Sequence, residues 1–292
     1  METGIKTQLK KELKNKVVLI TGGAGSIGSE LAERILEYPI KSLRILDIDE
    51  HALFKFSRKI KDKRIRALLG SVLNRERIDM ACSNVDIVIH TAAIKNIEIS
   101  EFNAIETIDI NINGTVNMIK SAERNKPEKF LNISTDKAAE SSTLYGTTKQ
   151  VGERLTSWAS SHIDSTKFAS VRFGNVIETR GNVFEVWDEE HQKNKPLSIT
   201  DPEMKRYFFH KSEAVDFILE TLTLMKGGEV FVPKMKSFRI DDLAKKISKK
   251  HNIIGKRRGE KLNEVLLTDN ELKNSKELKN MWILKPYMYM NE

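Results

Sequence analysis

The chain has 292 residues, with 49 Lys and Arg against 41 Asp and Glu, a formal net charge of +8, and 39% hydrophobic residues. With 15 Gly, 6 Pro, a single Cys and no sustained heptads, it is not collagen, low-complexity disorder, a coiled coil, a disulfide scaffold or a cysteine zinc site. No apolar run approaches the ~20 residues of a membrane-spanning helix. The polar start, Met1-Glu-Thr-Gly-Ile-Lys-Thr-Gln, lacks the apolar core of a secretory signal, so a cytoplasmic protein with no membrane partner is expected. Basic residues are mixed with acids, as in Ile240-Asp241-Asp242-Leu243-Ala244-Lys245-Lys246, without interleaved aromatics; this argues against nucleic acid and for small anionic ligands. No metal site is expected.

In chain order, residues 1–15 read as a polar, Lys-rich tail or short helix. Val17-Val18-Leu19-Ile20 is a buried-strand run, followed by helical spacing from Ser29 to Tyr38. Strands are expected at Leu43–Leu46, Ile65–Leu69, Asp86–His90, Lys129–Ile133 and Phe168–Arg172, with a basic helix from Glu50 to Lys61. Cys82, just before an apolar strand, reads as a buried structural thiol. Apolar strands alternating with helices predict a Rossmann-type doubly wound parallel sheet, α/β in class, with a smaller C-terminal substrate-binding lobe. The dinucleotide-binding domain is expected over 16–175, with 213–230 returning to it, and the lobe over 176–212 and 231–292.

Thr21-Gly22-Gly23-Ala24-Gly25-Ser26-Ile27-Gly28 follows the first strand and opens a helix. Gly22, Gly25 and Gly28 suit a tight turn, close backbone approach to a pyrophosphate, and helix–strand packing. The helix start offers free N–H groups and a positive dipole end. Asp47, about 20 residues on, can accept from a ribose diol and would repel a 2′-phosphate, which favours NAD; NADP is the alternative, with Lys55 and Arg58 near enough to meet a phosphate. Further on, Ser134-Thr135-Asp136-Lys137 follows a strand, and Tyr145 and Lys149, four apart, lie on one helix face. An ammonium near the phenol lowers the tyrosine pKa and lets it take a proton from a substrate hydroxyl.

With these motifs the chain resembles the extended short-chain dehydrogenase/reductases, and more narrowly the nucleotide-sugar 4,6-dehydratases acting on UDP-N-acetylglucosamine in polysaccharide biosynthesis. The resemblance spans roughly Lys16 to Leu267. It rests on the glycine loop, His90-Thr91-Ala92-Ala93-Ile94-Lys95, Ser134 to Ala138, Tyr145 to Lys149, Val171-Arg172-Phe173-Gly174-Asn175-Val176, Ile199-Thr200-Asp201-Pro202 with Met204 and Arg206, and Gly259-Glu260-Lys261-Leu262. It implies that Gly22, Gly25, Ser26, Ile27, Gly28, Asp47, Ala92, Lys95, Asn111, Tyr145 and Lys149 hold the cofactor. It also implies that Lys95, Asn175, Arg206, Arg257 and Glu260 hold a UDP-sugar, and that the chain forms a homo-oligomer. In the implied reaction, Tyr145 takes the C4 hydroxyl proton, Thr135 and Lys149 position that hydroxyl, neutral Lys137 takes the C5 proton, and protonated Asp136 helps the C6 hydroxyl leave. That requires a lowered Lys137 pKa and a raised Asp136 pKa.

Departures from the family pattern are Ser71, where an Asp is usual, and Arg258 and Asn263, where Pro and His are usual. Tyr145 resembles the shorter, often C5-inverting and NADP-using members, whereas Asp47 resembles NAD-using ones. A nucleotide-sugar epimerase would keep Tyr145 and Lys149 without needing the Asp136–Lys137 pair. A cofactor-sensing regulatory protein on the same fold would be marked by loss of Tyr145 or Lys149, and both are present.

Overall fold

The computed structural model describes residues 3–179, 181–257 and 259–286. The early apolar runs form β1 (Val17–Thr21), β2 (Ser42–Asp47), β3 (Ile65–Leu69), β4 (Ile87–His90), β5 (Lys129–Thr135) and β6 (Lys167–Phe173). Then come β7 (Asn175–Val176), β8 (Leu197–Ile199), β9 (Lys205–Phe209), β10 (Val230–Pro233), β11 (Ser237–Arg239), β12 (His251–Ile253), β13 (Ser275–Glu277) and β14 (Met281–Leu284). The main sheet runs β13-β14-β10-β6-β5-β4-β1-β2-β3; it is parallel from β10 to β3, with β14 and β13 added antiparallel. β1, β4 and β5 are buried along their whole length, as strands covered on both faces must be. The strand order reverses between β1 and β4, one side continuing to β2 and the other to β5, which opens a crevice outside the carboxyl ends of these parallel strands. The fold is therefore the doubly wound Rossmann type with a smaller C-terminal lobe.

The helices are α1 (Thr3–Leu13), α2 (Ser26–Leu36), α3 (Glu50–Lys59), α4 (Arg75–Cys82), α5 (Ile97–Phe102), α6 (Ala104–Ile108), α7 (Gly114–Asn125), α8 (Leu144–His162), α9 (Val183–Gln192), α10 (Lys211–Leu224), α11 (Ile240–Lys245) and α12 (Asp269–Lys273). Alternation along β1 splits the core: Val18 and Ile20 pack with Leu31 and Ile35 of α2 and Ile218 of α10, while Val17 and Leu19 pack with Ile78 of α4 and Met118 of α7. The lobe has its own core of Trp187, Leu197, Ile199, Met204, Phe208 and Ile240, fixed by Trp187 Nε1 donating to the Ser198 carbonyl at 2.8 Å.

Two expectations are corrected. Of the two readings of residues 1–15 the tail falls and the short helix stands: Leu9 and Leu13, one turn apart, are fully buried beside α10, and Lys129 Nζ ties the helix down through Glu12 (2.5 Å) and the Leu222 carbonyl (2.6 Å). Nor does all of 231–292 belong to the lobe. Val230-Phe-Val-Pro and Met281-Trp-Ile-Leu are short runs whose outer residues are buried, and they extend the main sheet beyond β6. Cys82 is fully buried, and burial pushes its thiol up to about 11.

His90 closes β4 without solvent contact. Thr21 Oγ1 lies 2.7 Å from its Nδ1, and its Nε2 lies 3.2 Å from Thr115 Oγ1. Because Thr115 already donates to the Asn111 carbonyl (2.7 Å), Nε2 carries the hydrogen and Nδ1 accepts from Thr21. Burial, reinforced by Lys149, depresses the imidazole from 6.5 to about 3. Between these values the unfolded chain binds a proton that the folded one refuses, so this contribution is intact above pH 6.5 and lost as pH falls toward 3. Urea midpoints measured against pH should show this acid limb, and His90→Gln should flatten it; an unchanged slope would contradict a neutral buried His90.

Candidate active site

The glycine loop lies at the carboxyl end of β1. Gly22 has φ +63°, and a Cβ there would meet the Ala92 backbone at 2.8 Å. A Cβ on Gly28 would fall 2.5 Å from the Gly22 carbonyl, so the first turn of α2 lies directly on the loop. Gly25 is the N-cap of α2 and makes no side-chain capping hydrogen bond to its first turn. Asp47 Oδ2 accepts from Ala24 N (2.9 Å) and Oδ1 from Asp49 N (3.1 Å), so the carboxylate fixes the loop and retains lone pairs toward the crevice. A glycine cradle, a helix start with a glycine N-cap and a carboxylate at the end of β2 fit a dinucleotide. Ser26 and Ile27 form the start of α2 over that cradle. Gly28→Ala should weaken dinucleotide binding by about tenfold or more by lifting the helix from the loop. Calorimetry would show this; an unchanged affinity would contradict it.

Asn111 occupies a π-helical turn, Asp109–Asn113, before α7. Its Oδ1 accepts from Ile94 N (2.8 Å), and its Nδ2 donates to the Ile94 carbonyl (2.9 Å) and to Thr148 Oγ1 (3.0 Å). It therefore fixes the loop after β4, with Ala92 and Lys95, against α8. Lys95 is exposed there; partial burial lowers its ammonium pKa and Glu185 of α9 opposes this.

β5 continues through Thr135, and Asp136-Lys137 turn off it in a 3-10 turn. A Cβ on Gly146 would stand 2.4 Å from the Lys137 carbonyl oxygen, so α8 enters the site against this turn. Asp136 is buried; its Oδ1 accepts from Thr135 Oγ1 and Lys137 Nζ, both at 3.0 Å, while Oδ2 has no partner among the described residues. Lys137 Nζ is also 3.5 Å from Asn175 Oδ1 and 3.9 Å from Glu264 Oε1. Burial works against the ammonium, but Asp136 and Glu264 outweigh it and raise the Lys137 pKa. This corrects the expectation of a lowered value, because the residue sits between carboxylates. Burial also raises the Tyr145 pKa, opposed by Lys137 and by a hydrogen bond with Thr135. Lys137 is thus a cation that acts on the phenol.

Lys149, one turn along α8, is buried and depressed to about 8 by desolvation, with Glu153 opposing. Behind it lies an ion triad. Arg172 Nε and Nη2 donate to Glu153 at 3.0 and 2.7 Å, and its Nη1 and Nη2 donate to Glu271, both at 2.8 Å. Arg172 Nη1 also donates to the Leu266 carbonyl at 3.0 Å.

Of the residues expected to bind the sugar nucleotide, Arg206, Arg257 and Glu260 come together in the lobe, but much of their capacity is used internally. Buried Arg206 donates to the carbonyls of Lys205, Lys261 and Leu262 and to Glu260 (3.3 Å), clamping the 260–262 segment. Glu260 also accepts from Arg257 N at 3.1 Å, and exposed Arg257 pairs with Glu98 of α5 at 2.6 Å. Asn175, in contrast, faces Lys137. Sequence reasoning missed Glu264 and Tyr207. Tyr207 packs at Gly174 beside Asp136, and burial together with Asp136 raises its pKa.

The geometry defines a doubly wound α/β protein whose glycine cradle and Thr135–Asp136–Lys137–Tyr145–Lys149 cluster share one crevice. The model of the polysaccharide biosynthesis protein family matches residues 18–286, and the chain belongs to that family. Among curated relatives, an uncharacterized membrane protein of Methanocaldococcus jannaschii is 39% identical, aligned over 94% of this chain and 87% of its own. A UDP-N-acetylglucosamine 4,6-dehydratase (inverting) of Campylobacter jejuni is 35% identical over 93% and 83%. A UDP-glucose 4-epimerase of Rickettsia bellii is 34% identical over 92% and 82%. Among solved structures, Pen from Bacillus thuringiensis superposes with a TM-score of 0.91 at 33% identity, covering 94% of this chain and 89% of that one. No helix among the described residues is long and apolar enough to cross a membrane.

Proposed function

We propose that this protein is a nucleotide-sugar 4,6-dehydratase that acts on UDP-N-acetylglucosamine and uses NAD. The observation that carries this reading is the Asp136–Lys137 pair, buried beside Tyr145 at the end of β5. Elimination of water needs an acid and a base for C6 and C5, whereas interconversion at C4 needs only the acid–base group at the C4 hydroxyl, a role Tyr145 fills. The Campylobacter relative's name agrees with this reading, and Asp47 supports NAD by its carboxylate at the end of β2.

The Gly22–Gly28 loop would hold NAD through its pyrophosphate, and the bound cofactor would supply the acceptor for the C4 hydride and its donor to C6. Tyr145, as its phenolate, takes the C4 hydroxyl proton, with Thr135 and Lys149 holding that hydroxyl. The 4-ketone acidifies the C5 hydrogen. Lys137 begins as an ammonium, but passing its proton along the 3.0 Å bond to Asp136 leaves a neutral amine and a carboxylic acid with the total charge unchanged. The amine takes the C5 proton, the acid protonates the departing C6 hydroxyl, and Lys137 later returns its proton to C5. The proton left on Tyr145 restores the Asp136–Lys137 ion pair, and Thr135, which donates to Asp136 and bonds Tyr145, is the bridging hydroxyl.

Incubating purified protein with UDP-N-acetylglucosamine should give a product one water lighter, with no net reduced nicotinamide. The second reading, a nucleotide-sugar 4-epimerase, is favoured by the Rickettsia relative's name and would give an isomer of unchanged mass.

A further inference from the structure

We propose that Glu264 is a positioning residue for Lys137, holding its Nζ in place and setting how readily it passes its proton to Asp136; this rests on the dehydratase reading. Glu264 is buried, and its Oε1 lies 3.9 Å from Nζ. It arrives from a distant part of the chain on a segment that the fold anchors firmly. Arg206 clamps the carbonyls of Lys261 and Leu262, Lys205 N donates to the Leu262 carbonyl at 3.0 Å, and Asn263 bridges to Lys205 of β9. Lys137 is therefore shared between one carboxylate from the end of β5 and another delivered by the lobe.

The charges facing this cluster come from every element packed on it. Lys137 meets Asp136, Glu264 and Tyr145; Glu264 meets Lys137, Asp136, Arg206 and Lys261; Asp136 meets Tyr207. With Lys137 charged and both carboxylates ionised, the buried trio would hold one net negative charge. Burial pushes the Glu264 carboxyl up, with Lys137 opposing and Asp136 adding to the rise. An ionised Glu264 favours the ammonium on Lys137 and a protonated one releases it, so this residue governs the proton shift that elimination requires.

The test is a pH titration of the Lys137 Nζ resonance in 15N-lysine-labelled protein, assigned by its disappearance in Lys137→Arg. In Glu264→Gln the amine should lose its proton about one pH unit or more below the wild-type point. Glu264→Asp, which keeps the charge but withdraws it, should show a smaller fall. In steady-state assays Glu264→Gln should shift the pH profile of kcat while KM for the UDP-sugar stays within about twofold. Identical titrations in wild type and both variants would overturn the proposal, as would a uniform loss of kcat with no change of profile. The NMR titration needs no substrate. A wild-type enzyme that fails to dehydrate UDP-N-acetylglucosamine would therefore remove the dehydratase reading and leave the tuning of Lys137 to be judged by its own readout.

Discussion

Lys137→Met should lower dehydration of UDP-N-acetylglucosamine by at least about a thousandfold, within the usual range for a general acid–base group. It should also abolish deuterium incorporation from solvent at C5. The substitution keeps the aliphatic stem and removes the only ammonium that lies 3.0 Å from Asp136 among the described residues. Dinucleotide affinity should hold, because the glycine cradle and the end of α2 make no use of Lys137. The variant also leaves Asp136 and Glu264 buried without their shared cation, so a lower melting temperature is expected alongside the kinetic loss. Deuterium incorporated at the wild-type rate would remove Lys137 from the C5 step.

Arg172→Met should carry the largest stability cost, about 3–5 kcal/mol, as expected when one partner of a buried ion network is removed. Arg172 and Glu153 are both fully buried, and Glu271 is nearly so. Without the guanidinium, Glu153, Glu271 and the Leu266 carbonyl lose the donors that Arg172 supplies, while Glu271 keeps the hydrogen bond from Thr268 N at 3.0 Å. At roughly 2–4 °C per kcal/mol for a chain of this general size, the melting temperature should fall by on the order of 10 °C. The triad also braces α8 from behind, so the variant should bind dinucleotide more weakly as Lys149 loses its support. Calorimetry showing a shift of less than about 2 °C would mean that the network adds little.

The parts of this protein that could be read from sequence are those set by neighbours along the chain. The Gly22–Gly28 loop, Asp47 at the end of β2 and the Tyr145/Lys149 pair on α8 depend on spacings of a few residues, or on one β-α-β unit. Asp136 and Lys137 were found for the same reason, since they follow a strand directly. Glu264 was not, because it meets Lys137 only after the chain has crossed the lobe and returned. Arg206 looked like a diphosphate ligand, but its donors serve the 260–262 backbone, which no local pattern announces. Leu9 and Leu13 sit in a polar stretch, and their burial depends on α10 more than 200 positions away, as the Gln8–Thr223 bond across 215 residues shows. The charge on Lys137 was misjudged because desolvation was weighed without the second carboxylate.

The most direct measurement is to supply UDP-N-acetylglucosamine carrying deuterium at C4 and to locate the label in the product by NMR. The account requires deuterium on the new C6 methyl group, with one water lost from the sugar. A label that remains at C4, or is washed into solvent with C6 still hydroxylated, would contradict it.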